Sequence, residues 1–162
     1  MGTASDRTTE TKSLLLVEKH AAFRQALAHV LELCAGFGRT YQAESLADTR
    51  DCAPGAVDLA IVDLGLSNGD GLDAVRALRD AHPRATLLAL TFSQNPTCHA
   101  RTVQAGANVV LSKEASLEEI VLADRDGARY RRQPSSNLAS WWRKHRFGVL
   151  ERRGHAGPPL RR

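Results

Sequence analysis

Asp63, Thr91 and Lys113 each close a short apolar run, and Glu18-Lys19 closes another. They offer a carboxylate, a hydroxyl donor and a point positive charge. The run Val57-Asp58-Leu59-Ala60-Ile61-Val62 is too short for a helix of its own and rich in β-branched residues, so it reads as a buried strand ending at Asp63. At the carboxyl edge of an open parallel sheet the loops splay apart and leave a polar crevice, which is where ligands bind. If these runs are strands of one such sheet, Glu18, Lys19, Asp63, Thr91 and Lys113 converge in that crevice. A polar residue at any single strand end has a plainer reading, because strand ends surface. That reading weakens for Asp63, Thr91 and Lys113 taken together.

The elements that must position them follow from periodicity. Ser13 to Val17 reads as a strand, and residues 22–34 carry Phe23, Ala26, Leu27, Val30, Leu31 and Cys34 at spacings of three and four, an amphipathic helix closed by Gly36-Phe37-Gly38. A short strand over 40–43 and a helix over 45–52, with Ser45 as its cap, come next. After Asp63, Ser67-Asn68-Gly69-Asp70-Gly71 forms a turn, and a helix from Leu72 places apolar residues at 72, 75 and 78. A strand over 86–91 is followed by a polar loop over 93–97 and a helix that stops at Gly106. Val109-Val110-Leu111 is the last strand, and Ser116-Leu117-Glu118-Glu119 reads as a capping box opening a fifth helix. Five alternations of strand and helix imply right-handed crossovers and an α/β fold whose parallel sheet is covered on both faces.

Composition divides the chain. Residues 1–124 hold 11 Lys and Arg against 16 Asp and Glu, a net −5, whereas residues 125–162 hold 11 against 2, a net +9. The acidic part is patterned like a fold; the basic part, rich in Arg, Gly and Pro, is not. We therefore expect a disordered segment over 1–12, one domain over 13–125 and a basic, disordered tail over 126–162. In that tail Trp141, Trp142, Arg143, Lys144 and Arg146 interleave aromatics with cations, which suits nucleic acid electrostatically. A basic tail with no selected partner, or an out-of-frame remnant of a lost DNA-binding domain, has the same composition. The tail is too short and too poorly patterned for a four-helix DNA-binding domain. No run approaches the about 18 apolar residues of a membrane span, and no secretion signal opens the chain, so the expectation is a cytoplasmic protein with no membrane partner. Cys34, Cys52 and Cys98 match no metal spacing and read as small buried hydrophobes. His20 reads as packing or capping.

Leu14-Leu15-Leu16-Val17, Asp63-Leu64 with Asn68-Gly69-Asp70-Gly71, Leu90-Thr91, Ala105-Gly106-Ala107 and Lys113-Glu114-Ala115-Ser116 together resemble the receiver domain of bacterial two-component response regulators, in the branch that carries a LuxR-type DNA-binding domain. The resemblance covers about residues 13–125. It implies a flavodoxin-like, doubly wound, five-stranded parallel sheet with strand order 2-1-3-4-5. It also implies Asp63 as phospho-acceptor, Thr91 as switch hydroxyl and Lys113 as the lysine that pairs with the phosphoryl group. A carboxylate oxygen can attack an activated phosphorus, and the charge on the transferring group must be met by a cation and by preorganised donors. In the family Mg2+ completes the set, held here by Asp63, Glu18 and the carbonyl of Gly65. The implied partner is a sensor histidine kinase or another signalling protein, with a homodimer open and nucleic acid bound at most non-specifically. The implied protein is no enzyme but a phosphorelay component, accepting or mimicking an aspartyl phosphoryl signal. The alternative is a DNA-binding transcriptional regulator working through the tail.

Four positions depart from the family pattern. Lys19 replaces the second acid of the first strand's acidic pair, and an ammonium has no lone pair to ligate Mg2+. Its charge is expected beside Asp63 in the metal's place, so that two lysines, Asp63 and Glu18 make a near-neutral cluster and metal binding is weak or absent. Val110 stands where an aromatic switch residue is usual, Phe92 where a small residue follows the threonine, and Ser67 where proline is common. Phe92 is expected to narrow access to Asp63.

Overall fold

The computed structural model describes residues 11–52, 55, 57–66 and 71–130. The Ser67-to-Asp70 turn, the N-terminal segment up to residue 10 and the tail from residue 131, with Trp141, Trp142, Arg143, Lys144 and Arg146, lie outside the described residues. Ten elements alternate along the chain: β1 (Lys12–Val17), α1 (Ala21–Ala35), β2 (Phe37–Ala43), α2 (Thr49–Cys52), β3 (Leu59–Asp63), α3 (Gly71–Ala81), β4 (Thr86–Thr91), α4 (Pro96–Gln104), β5 (Val109–Ser112) and α5 (Leu117–Tyr130). The sheet is parallel throughout with order β2-β1-β3-β4-β5, the flavodoxin-like order expected.

The central strands are buried along their whole length, β3 and β4 without a break. This is why they read as continuous apolar runs rather than alternating ones, since both faces of the sheet are covered. Register then fixes the functional edge. Val17 pairs with Val62, Val62 with Ala89 and Ala89 with Val110. The next rank holds Glu18 and Asp63; Thr91 pairs with Ser112, one residue before Lys113. All four chemically equipped residues thus lie within three residues of a single line across the sheet.

Several elements depart from the periodic reading. On α1 the buried residues are Leu27, Ala28 and Leu31, an arc turned toward Ala28 where the helix lies on β1 and β2. Phe23, Ala26 and Cys34 are left exposed, so Cys34 is not the buried hydrophobe expected of it, and Cys98 is half-buried. Helix α1 ends on Gly36, left-handed at φ 73°, and β2 begins at once with the buried Phe37, three residues earlier than expected. Ser45 does not cap α2. Its N–H and hydroxyl both donate to Asp48 Oδ2, at 2.9 and 2.8 Å, closing a turn that delays the helix to Thr49. By contrast the capping box at α5 forms as read: Glu119 N–H donates to Ser116 Oγ at 3.3 Å, and Ser116 N–H donates to Glu119 Oε2 at 2.5 Å. That helix runs to Tyr130, five residues into the segment expected to be irregular.

Two polar ties hold the frame. Arg79 at the end of α3 donates to the carbonyls of Gly106, Ala85 and Pro83 at 2.8, 2.9 and 3.1 Å and to Asn108 Oδ1 at 2.6 Å. Asn108 Oδ1 also accepts from Leu87 N–H at 2.7 Å, so one guanidinium locks the turns before β4 and β5 together. Lys12 pairs with the buried Asp124 at 2.9 Å, joining the start of β1 to α5. Among the described residues no helix is long and apolar enough to cross a membrane.

Candidate functional site

Asp63, at the last position of β3, is 3% exposed. The following turn wraps around it: Gly65 N–H donates to Asp63 Oδ1 at 2.8 Å, while Leu64 N–H is held by the Leu90 carbonyl at 2.9 Å. On the other side, Lys113 Nζ lies 2.9 Å from Asp63 Oδ2 and 2.6 Å from Glu18 Oε2. Lys113 is brought there because its N–H continues the sheet ladder to the Thr91 carbonyl at 2.9 Å. The three side chains are 3–6% exposed, so one ammonium bridges two carboxylates out of contact with bulk water.

Glu18 is held on its remaining sides. The backbone N–H of His20 donates to Glu18 Oε1 at 2.8 Å, the His20 ring nitrogen Nδ1 lies 2.8 Å from the same oxygen, and the Arg24 guanidinium donates to the Glu18 carbonyl. Burial pushes the Glu18 carboxyl up, but the hydrogen bonds from Lys113 and from the backbone and ring of His20, with the Lys113 charge, outweigh it and leave the group below the ordinary glutamate value. Burial likewise pushes the Lys113 ammonium down, and its contacts with Glu18 and Asp63 more than reverse that. Glu18 and Lys113 are therefore both held in their charged forms. Thr91 is buried, and its Oγ1 accepts from Ser93 N–H at 3.0 Å.

Lys19 is not part of this cluster. It is half-buried and forms no ion pair among the described residues, so the place beside Asp63 expected for its charge belongs to Lys113 alone. Two residues whose part was not read from the sequence complete the surroundings. Phe23, taken for part of the buried stripe of α1, has its ring centroid 5.3 Å from Lys113 Nζ, and the Phe92 ring centroid lies 5.4 Å from the same atom. His20, read as packing, is a direct neighbour of Glu18. Val110 is packed in the core.

A groove of about 440 Å³ opens at Asp63, lined also by Thr91, Phe92, Ser93, Asn95, Thr97 and Arg101. One ligand atom each from Glu18, His20 and Asp63 lies within 4.8 Å of the others. Carboxylate and carbonyl oxygens are the donors that Mg2+ takes, usually one or two carboxylates with several waters retained, so Glu18, Asp63 and Gly65 fit such an ion in kind.

Residues 14–124 match the response regulator receiver domain. The chain belongs to that family. The chain is 33% identical over 134 residues to the acid tolerance regulatory protein ActR of Rhizobium meliloti strain 1021, covering 80% of this chain and 66% of ActR. To the response regulator UvrY of Escherichia coli strain K12 it is 29% identical over 128 residues, 78% of this chain and 59% of UvrY. The chain thus spans less than two thirds of the length of these relatives. Among solved structures, a response regulator from Burkholderia pseudomallei with a phosphorylated aspartic acid, a calcium ion and citrate superposes with a TM-score of 0.63 at 29% identity, covering 75% of this chain and 71% of that one. The receiver domain is a component of two-component signalling, in which response regulators interact with sensor kinases.

Proposed function

We propose that Asp63 accepts a phosphoryl group from a sensor histidine kinase, that Lys113 pairs with the transferred group and that Thr91 donates its hydroxyl to it, in a cytoplasmic phosphorelay protein that acts through protein contacts. The observation that supports this most is a buried carboxylate at the functional edge of the sheet, 2.9 Å from an ammonium and open to a groove. In the reaction an Asp63 oxygen attacks phosphorus, the bond from phosphorus to the donor's leaving group breaks, and that group departs with the electron pair. Lys113 meets the charge carried by the phosphoryl oxygens. Because Thr91 Oγ1 accepts from Ser93 N–H, its own proton remains for donation. Mg2+, held by Glu18, Asp63 and the Gly65 carbonyl without help from Lys19, would when bound add positive charge against the same oxygens. The phosphorylated aspartic acid and calcium ion of the Burkholderia relative support the assignment.

Incubation with acetyl phosphate and Mg2+ is expected to add one phosphoryl group by intact mass, and Asp63→Asn to abolish the addition. A label carried elsewhere in the chain defeats the proposal, and absence of any label favours signalling through contacts without phosphorylation.

A second reading, DNA binding through the basic segment, is favoured by the net +9 of residues 125–162. Such a segment binds DNA electrostatically whatever its purpose, so discrimination decides. The expected result is weak, steeply salt-dependent binding without a preferred sequence; a preferred site surviving at physiological salt would establish a DNA-binding regulator.

A further inference from the structure

We propose that Phe23 and Phe92 form an aromatic clamp on the Lys113 ammonium, holding it between Glu18 and Asp63 so that a divalent ion enters the site only by competing with a cation already in place. The inference deepens the receiver reading and rests on it for its role in signalling. Its ground is the convergence of three elements. Phe23 comes from the first turn of α1, Phe92 from the residue after β4 and Lys113 from the residue after β5, and both ring centroids lie within the about 6 Å over which an ammonium is drawn to an aromatic face.

Neither ring is there for core packing. Phe92 is 70% exposed and Phe23 36%, large apolar side chains left in water at the mouth of a polar site. A phenyl ring has no hydrogen bond to give or take, so what it offers a charge is its negative face. The ammonium meets Glu18 and Asp63 at 2.6 and 2.9 Å, and it lies over both rings as well. The clamp therefore does what no carboxylate at position 19 does here. It adds attraction for a cation without adding negative charge, and it selects the protein's own ammonium over an ion from solution. An ion entering between Glu18 and Asp63 must displace the Lys113 ammonium that bridges them, and the rings oppose that displacement.

The test compares wild type with Phe23→Leu, Phe92→Leu and Phe92→Tyr, the tyrosine keeping the aromatic face that leucine lacks. In wild type the Lys113 ε-methylene protons are expected upfield in NMR spectra from the two ring currents. Each leucine variant should move them downfield and strengthen Mg2+ binding in calorimetry by about threefold, while Phe92→Tyr should match wild type in both. Lys113 signals that do not respond to the leucine variants, or an unchanged Mg2+ affinity, overturn the clamp. Neither readout depends on phosphorylation, so a protein that takes no phosphoryl group at Asp63 yet shows both responses would refute the acceptor assignment and leave the clamp standing.

Discussion

Lys113→Met is expected to remove about 3–5 kcal/mol of folding stability at neutral pH, the usual cost of deleting one partner of a buried ion cluster. Methionine keeps the length and the contact with the two rings, so the change isolates the charge. What remains is Glu18 facing Asp63, both carboxyls buried, with no ammonium between them. Like charges sharing a site disfavour ionisation, and the variant should regain stability as the pH falls and one carboxyl takes up a proton. Mg2+ should restore stability at neutral pH by taking the vacated position. Wild type behaves differently. Its Glu18 lies below the ordinary value of 4.5, so that contribution is complete above 4.5 and is lost only as the pH falls through the lowered value. Its Lys113 lies above the ordinary 10.5, so that contribution is complete below 10.5 and is lost only as the pH rises through the raised value. Between those limits these two groups add no slope. Urea denaturation of both proteins across this range, with and without Mg2+, measures the difference, and a variant as stable as wild type at neutral pH would mean that water already screens the pair. Asp63→Ala is a milder change than two flanking lysines would have made it, because Lys113 retains Glu18 at 2.6 Å.

Gly71→Ala should cost about 1–3 kcal/mol, as overpacking against a rigid neighbour does, and should slow phosphoryl transfer to Asp63 as well. A Cβ at this position would lie 2.4 Å from the Leu64 carbonyl oxygen, 2.5 Å from its Cα and 2.8 Å from its carbonyl carbon. Those are backbone atoms, with no flexible end to give way, and they belong to the residue that follows Asp63. Relief must come from moving either the start of α3 or the turn that carries the acceptor. Gly71 is not among the positive-φ glycines, so what it supplies is close approach rather than an unusual backbone angle. Urea denaturation and the rate of labelling by acetyl phosphate check both effects; wild-type values in the variant would show that α3 slides away without disturbing Asp63.

Runs of β-branched and aliphatic residues bounded by polar ones were enough to define β1, β3, β4 and β5, because strands buried on both faces favour such a composition, whereas the edge strand β2, partly exposed and more polar, began three residues earlier than expected. The same pattern placed Glu18, Asp63, Thr91 and Lys113 at strand ends, and parallel pairing then leaves them one edge to share. The capping box at Ser116 and the apolar face of α3 were legible for a similar reason: both are set by spacing within one element. Spacing does not give the direction of a side chain beyond its own element. The buried arc of α1 turned toward Ala28, away from Cys34, because the sheet beneath it chose the angle. The pairing partner of Asp63 came out as Lys113 and not Lys19, because the ladder bond from Lys113 N–H to the Thr91 carbonyl, between elements distant in the chain, carries that side chain to the end of β3. Phe23 and Phe92 are 69 positions apart in the chain, and their meeting over one ammonium was decided by the crossovers that bring the ends of β1, β4 and β5 together, a relation between elements that no local pattern encodes.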